Sequence, residues 1–293
     1  MEHHTKGVLL VLCSGILFGT AGILSKILYS ATTVGPVSLA LFRLAFAIPM
    51  LSLFIAAKRY QVSLTRRDGA LFATFGFFGI TGFTALYFTS LTYTTVQHSS
   101  ALLYTSPAFV AILSRMILKE RLTRAKLVAI VLAISGAFFI LGLARGEPLF
   151  ASRTQIGDWL AVGAGLAYSS WAIFGKILGK NREPAVTSLL SWSFGAVFLF
   201  PLMVIREGFQ LPQGLIALGL LAAHGIVVAG FAYLCYLAGL KLIDATKASV
   251  LAITEPLTAT ILAFLFFHET LSYDSLLGFV LIMSSILLAS IAS

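Results

Sequence analysis

Charge is scarce in this chain: Asp, Glu, Lys and Arg make up 11% of its 293 residues, against about 25% in an ordinary soluble domain. Acidic residues are the scarcer kind, 11 against 20 Lys and Arg. An excess of cations raises nucleic acid as a partner, but that needs a basic patch or stripe. Here the cations sit at the ends of apolar runs, so nucleic acid is not expected. Cysteine is nearly absent: Cys13 and Cys235 both fall inside apolar runs, which leaves no disulfide framework and no zinc site. No metal and no cofactor are expected. Enzyme signatures are missing too: there is no H-E-x-x-H or G-x-S-x-G, and His268-Glu269 lacks a second histidine. An enzyme is therefore not expected.

What the chain has instead is long hydrophobic runs, with 59% of its residues apolar. A membrane-crossing helix needs about 20 of them in a row. Ten such spans are read at 7–28, 36–57, 69–90, 97–117, 124–143, 156–178, 185–205, 214–238, 247–267 and 272–291. They use roughly 200 residues, leaving about 90 for the connections, too few for an extramembrane domain. The first run is full length, lacks a convincing cleavage site and precedes nine more, so it reads as a span, not a signal peptide. The runs are continuous instead of alternating, which implies helices and not barrel strands. The expected class is an all-α integral membrane protein embedded in a lipid bilayer.

Lys and Arg collect on the cytoplasmic side of short loops. With both termini cytoplasmic, fifteen of the twenty fall inside, from Lys6 to Lys247, and only Lys26, Arg145, Arg153 and Arg206 fall outside, with Arg43 within a span. That asymmetry predicts cytoplasmic tails and a multi-pass protein of the cytoplasmic (inner or plasma) membrane.

A duplication is also visible. Shifted by 150 residues, GVLLVLCSGILFGTAGILSKIL from Gly7 lies on GDWLAVGAGLAYSSWAIFGKIL from Gly157. Shifted by 149, YTSPAFVAILSRMILKERLT from Tyr104 lies on ITEPLTATILAFLFFHETLS from Ile253, aligning Pro107 with Pro256 and Glu120 with Glu269. The unit is five spans long, giving halves at 1–145 and 154–293. Because five is odd, the halves enter the membrane from opposite sides. Inverted repeats place a substrate site near the midplane and permit alternating access, an argument for transport that needs no relative.

The pieces FGTAGILSK in the first span, PVSLALFRLAFAIPML in the second, and YFTSLTYTTVQHSSALLYTSPAFVAILSRMILKERLT through the third and fourth, repeated as YLAGLKLIDATKASVLAITEPLTATILAFLFFHETLS, resemble the ten-helix EamA family of the drug/metabolite transporter superfamily over nearly the whole chain. The resemblance implies a secondary transporter that exports amino acids or related small polar metabolites. Ser106 occupies the first-half place of Glu255, so the carboxylate belongs to one half alone.

Glu255, beside Pro256, is the one carboxylate placed deep in a span, where a charge faces the bundle interior or a wet cavity. It can bind a substrate ammonium, carry a proton in exchange for substrate, or cap helices around the proline break. Arg43 is either its counter-charge, a grip for a substrate carboxylate, or a side chain snorkelling to the headgroups. His224 is a second proton-coupling candidate, or a histidine that is simply hydrogen-bonded. Tyr168 and Trp171 share one face of the sixth span with Ala164 and Gly175. Phe18 and Ala21 hold the equivalent face of the first span. Tyr87, Tyr104 and Tyr236 complete a mixed polar and aromatic set that suits a cavity or small-residue helix packing. The expected substrate-binding residues are Tyr87, Tyr104, Tyr168, Trp171, His224, Tyr236 and Glu255, for a small-molecule substrate, and a monomer is compatible with the pattern. An uptake carrier, a facilitator for another metabolite or drug, a channel, a membrane-embedded sensor or an embedded enzyme remain the alternative readings.

Overall fold

The structure is a computed structural model, and it describes residues 2–141, 149–152, 154–209, 212–267 and 272–291. Among the described residues everything regular is helical, without a strand. Among the described residues, nine helices are long and apolar enough to cross a bilayer: α1 (Glu2–Ala31), α2 (Pro36–Lys58), α3 (Arg66–Ser90), α4 (His98–Leu118), α6 (Gln155–Gly179), α7 (Pro184–Glu207), α8 (Leu215–Leu240), α9 (Ala245–Phe266) and α10 (Tyr273–Ile291). Between α4 and α6 runs α5 (Arg124–Ile140), 17 residues long. Arg145, Arg153, His268 and Glu269 lie outside the described residues, as does the end of the span expected at 124–143.

The exposed surface carries Leu53, Ile205, Leu215 and Leu287, each more than half exposed. Water-soluble monomers rarely show apolar patches on this scale, whereas hydrocarbon covers them without cost. The protein is a multi-pass membrane protein. Its interior holds the small and polar side chains instead: Ser14, Ser90, Ser99, Thr187 and Ser285 are buried. Ser14, Ser90 and Ser285 return their hydroxyls to a carbonyl three residues back, which satisfies them locally where lipid offers no partner.

Helix partners are exchanged between the two halves of the chain. α1 packs on α8 and α9, while its counterpart α6 packs on α3 and α4; α2 meets α8, and α7 meets α3. α5 and α10 pack on each other. At their crossing, a Cβ added to Gly278 would lie 2.6 Å from the Gly136 carbonyl oxygen. The contact is backbone on backbone, as small residues allow in membranes. Gly15 and Gly19 do the same for α1 on α9: a Cβ at Gly19 would sit 2.5 Å from Cβ of Thr258 and 2.9 Å from the Glu255 carbonyl oxygen.

Helices α3, α4, α8 and α9 are interrupted. α3 widens into a π-helical stretch over Phe75–Gly82, and α8 does so over His224–Ala232. The two stretches start 149 residues apart, the offset of the repeat. α9 breaks between Ala245–Leu251 and Thr254–Phe267, just before Pro256, whose missing N–H cannot continue the ladder. α4 breaks likewise, between Leu103 and Ser106, ahead of Pro107.

At the start of α6, fully buried Asp158 accepts hydrogen bonds from Thr94 Oγ1 (2.8 Å), Thr154 Oγ1 (2.9 Å) and the Phe150 N–H (2.7 Å), and lies 3.2 Å from His98 Nδ1. It ties the α3–α4 connection to the second half. Asp158→Ala strands these donors around a buried position, so a loss of about 1–3 kcal/mol is expected, read as a fall of several degrees in the thermal midpoint of the detergent-purified protein. An unchanged midpoint would show that the carboxylate is not structural.

Candidate functional site

The breaks and widened turns surround one cavity of about 130 Å³ inside the helix bundle. From the first half it is lined by Phe18 and Ala21 of α1, Arg43 of α2, Phe83 of α3, and Leu103 and Tyr104 of α4. From the second half come Tyr168 and Trp171 of α6, Trp192 of α7, Val228 and Ala229 of α8, and Glu255 of α9. Eight helices contribute, four from each half; among the described residues α5 and α10 contribute none. A smaller space of about 20 Å³ continues past Tyr168 and Trp171 to Ser106, Tyr236, Ser249 and Ala252.

Local backbone geometry sets the polar groups. Glu255 stands in the first turn after the α9 break, where its N–H donates to the Ala252 carbonyl at 3.0 Å. The Tyr104 hydroxyl, beside the matching break in α4, is in hydrogen-bonding reach of its carboxyl group. Arg43 sits at the junction of Pro36–Phe42 and Leu44–Lys58 within α2. Its side chain shares the cavity lining with Tyr168, and its Nε is buried with no hydrogen-bond partner among the described residues. A guanidinium on the wall of an internal cavity is not snorkelling to headgroups. An unsatisfied buried donor of this kind is costly and suits an anionic group that arrives with a ligand.

The aromatic walls form a connected set. Trp171 lies 5.3 Å from Tyr168, 5.4 Å from Trp192, 5.5 Å from Tyr233 and 6.2 Å from Phe83, ring centre to ring centre. Its indole N–H donates to the Gly79 carbonyl at 2.8 Å, and that of Trp192 donates to the Ala229 carbonyl at 2.7 Å. Both acceptors lie in the π-helical stretches, where the altered ladder leaves carbonyls open to outside donors. The rings that wall the cavity are therefore fixed by the widened turns.

Of the residues expected from sequence, Tyr104, Tyr168, Trp171 and Glu255 are brought together on the main cavity, and Tyr236 lies on its smaller continuation. Tyr87 stands one ring back: it stacks on Phe83 at 5.8 Å, and its hydroxyl is 3.0 Å from Ser100 Oγ. His224 is not on the lining. It is buried at the start of the α8 π-helical stretch, with Nε2 3.3 Å from Ser25 Oγ and Nδ1 without a partner among the described residues. Trp192, Val228, Ala229 and Ser249 were missed. For Trp192 a signal existed, since membrane tryptophans usually sit at headgroup level and this one stands mid-helix between Ser191 and Ser193.

The profile of the EamA-like transporter family matches the chain twice, over residues 5–142 and 155–291. Among similar proteins, one from Clostridium kluyveri named an uncharacterized transporter is 26% identical over 94% of this chain and 90% of its own length. Uncharacterized transporter YyaM of Bacillus subtilis is 25% identical over 98% and 94%. Uncharacterized inner membrane transporter YicL of Salmonella typhimurium is 25% identical over 100% and 98%. A solved crystal structure superposes with a TM-score of 0.85 at 18% identity, covering 98% of this chain and 99% of the other; that likeness concerns the fold alone.

Proposed function

The chain belongs to the EamA-like transporter family, and from that premise we propose that it is a secondary transporter exporting amino acids or related small polar metabolites across the cytoplasmic membrane by alternating access. In this reading ten spans form two inverted five-helix repeats, 1–145 and 154–293, with both termini cytoplasmic. The double family match, the exchange of helix partners between halves and the one-sided distribution of Lys and Arg support it.

The observation that carries the substrate assignment is the chemistry of the cavity wall. A guanidinium with an unpartnered Nε from the first half and a carboxyl group from the second line one small aromatic chamber. An α-amino acid has the matching charges: its carboxylate binds Arg43, its ammonium binds Glu255, and its side chain lies against Phe18, Phe83, Trp171 and Trp192. Tyr104 and Tyr168 orient the two charged groups, Tyr87 backs the Phe83 wall, and Tyr236 lines the path beyond. Glu255 is the candidate proton carrier, with His224 as a second proton-coupling group behind the wall. No metal or cofactor enters the scheme.

Counterflow tests it. Purified protein in proteoliposomes loaded with an unlabelled amino-acid mixture should take up external labelled amino acid saturably, and faster than empty vesicles do. Flux that rises linearly with concentration would mean a channel, and tight binding without flux would mean a sensor.

A further inference from the structure

Away from the cavity, at the C-terminal end of α4, three side chains of the first half grip one short piece of the second. Glu120 Oε1 accepts the Ala245 N–H at 2.7 Å, and Oε2 accepts the Thr246 N–H and hydroxyl, both at 3.2 Å. Ser114 Oγ lies 2.7 Å from Thr246 Oγ1. Lys126 Nζ donates to Asp244 Oδ2 at 2.6 Å while also donating to the Arg121 carbonyl at 2.9 Å. Residues 244–246 begin the first piece of α9, Ala245–Leu251. Asp244, the residue that would ordinarily cap it, makes no side-chain cap bond; the cap is supplied by Glu120 from the other half.

That seven-residue piece links the grip to the cavity. Ser249 lies on it and Ala252 follows it, both lining the smaller space, and the break leads directly to Glu255. Its walls are tight: Lys247 at its start is 2.6 Å from His4 Nε2 of α1, and Ala245, Ala248, Val250 and Leu251 are buried. A short rigid piece held at one end and broken at the other moves as a unit when the held end is released.

We propose that Glu120 is the positioning residue of the inner gate: by capping Ala245 and Thr246 across the two halves, its carboxylate holds this piece of α9 over the cavity, and releasing the cap opens the cavity to that face. The proposal rests on the alternating-access reading, but its test needs no substrate. In protein with Cys13→Ser and Cys235→Ser, single cysteines are introduced at Ser249 or at Ala21, which lines the main cavity from α1. A membrane-impermeant maleimide is then applied from each face of sealed vesicles.

Glu120→Ala removes three hydrogen bonds that close the gate, so Ser249→Cys should label about 10-fold faster from the Glu120 face, each 1.4 kcal/mol being tenfold. Labelling of Ala21→Cys from the opposite face should slow in parallel. Glu120→Gln retains an acceptor for the Ala245 N–H and should return both rates most of the way. Unchanged rates overturn the proposal. So does a rise at both positions together, which signals a loosened or unfolded bundle in place of a gate. If the reciprocal change occurs but no amino acid is carried in counterflow, the gate stands and the substrate assignment falls.

Discussion

Glu255→Gln is expected to abolish gradient-driven flux, lowering it by about 100-fold or more, while the thermal midpoint of the purified protein stays within a degree or two. The substitution keeps the shape and a hydrogen-bond partner for Tyr104 but removes the charge and the proton. A charge-assisted hydrogen bond to an ammonium contributes about 1.5–3 kcal/mol, or about 10–100-fold in affinity; loss of a carried proton removes the driving gradient altogether. The two roles separate in proteoliposomes. If Glu255 carries only the proton, counterflow without a gradient persists; if it binds the ammonium, counterflow weakens as well. Gradient-driven accumulation that survives intact would remove Glu255 from the mechanism.

The second large effect is expected at Arg43. Arg43→Met should raise the half-saturating concentration for amino acids by about 10–100-fold, from the loss of a charge-assisted, two-pronged grip on the carboxylate. The decarboxylated amine of the same amino acid, tested as a competitor, should be affected by less than about threefold, because it never used that grip. Arg43→Lys should fall between, since an ammonium is a point charge without the planar fork. Equal weakening of acid and amine would mean that Arg43 supports the cavity wall and does not read the carboxylate.

These tests concern residues of unequal legibility. Glu255 stood out because a carboxylate in the middle of an apolar run is expensive and rare, and Tyr168 and Trp171 because helical spacing puts them on one face. The helix limits were legible to within a few residues from hydropathy alone, α2 at Pro36–Lys58 against 36–57 from the sequence. Arg43 could not be aimed in advance, because snorkelling and cavity lining look alike until the packing of the neighbouring helices places it on the cavity wall. Val228 and Ala229 depend on which α8 face meets α1 and α2, a tertiary matter that no single helix encodes. The π-helical stretches were out of reach for another reason: a change in ladder spacing leaves composition and mean hydropathy unaltered, and only the glycines at 76, 79, 82, 225 and 230 hinted at unusual backbone there.

Those two stretches also govern aim. Each α-helical residue turns the chain by about 100°, so a widened turn resets the angular phase of everything downstream, from Phe83 and Tyr87 in α3 and from Tyr233 and Tyr236 in α8. Because both halves carry such a reset from matching starting positions, losing one residue from a single stretch would swing one set of rings off the chamber while its twin stayed put. Each stretch is thus constrained in length as well as in composition, since a shortening re-aims the rings that follow it.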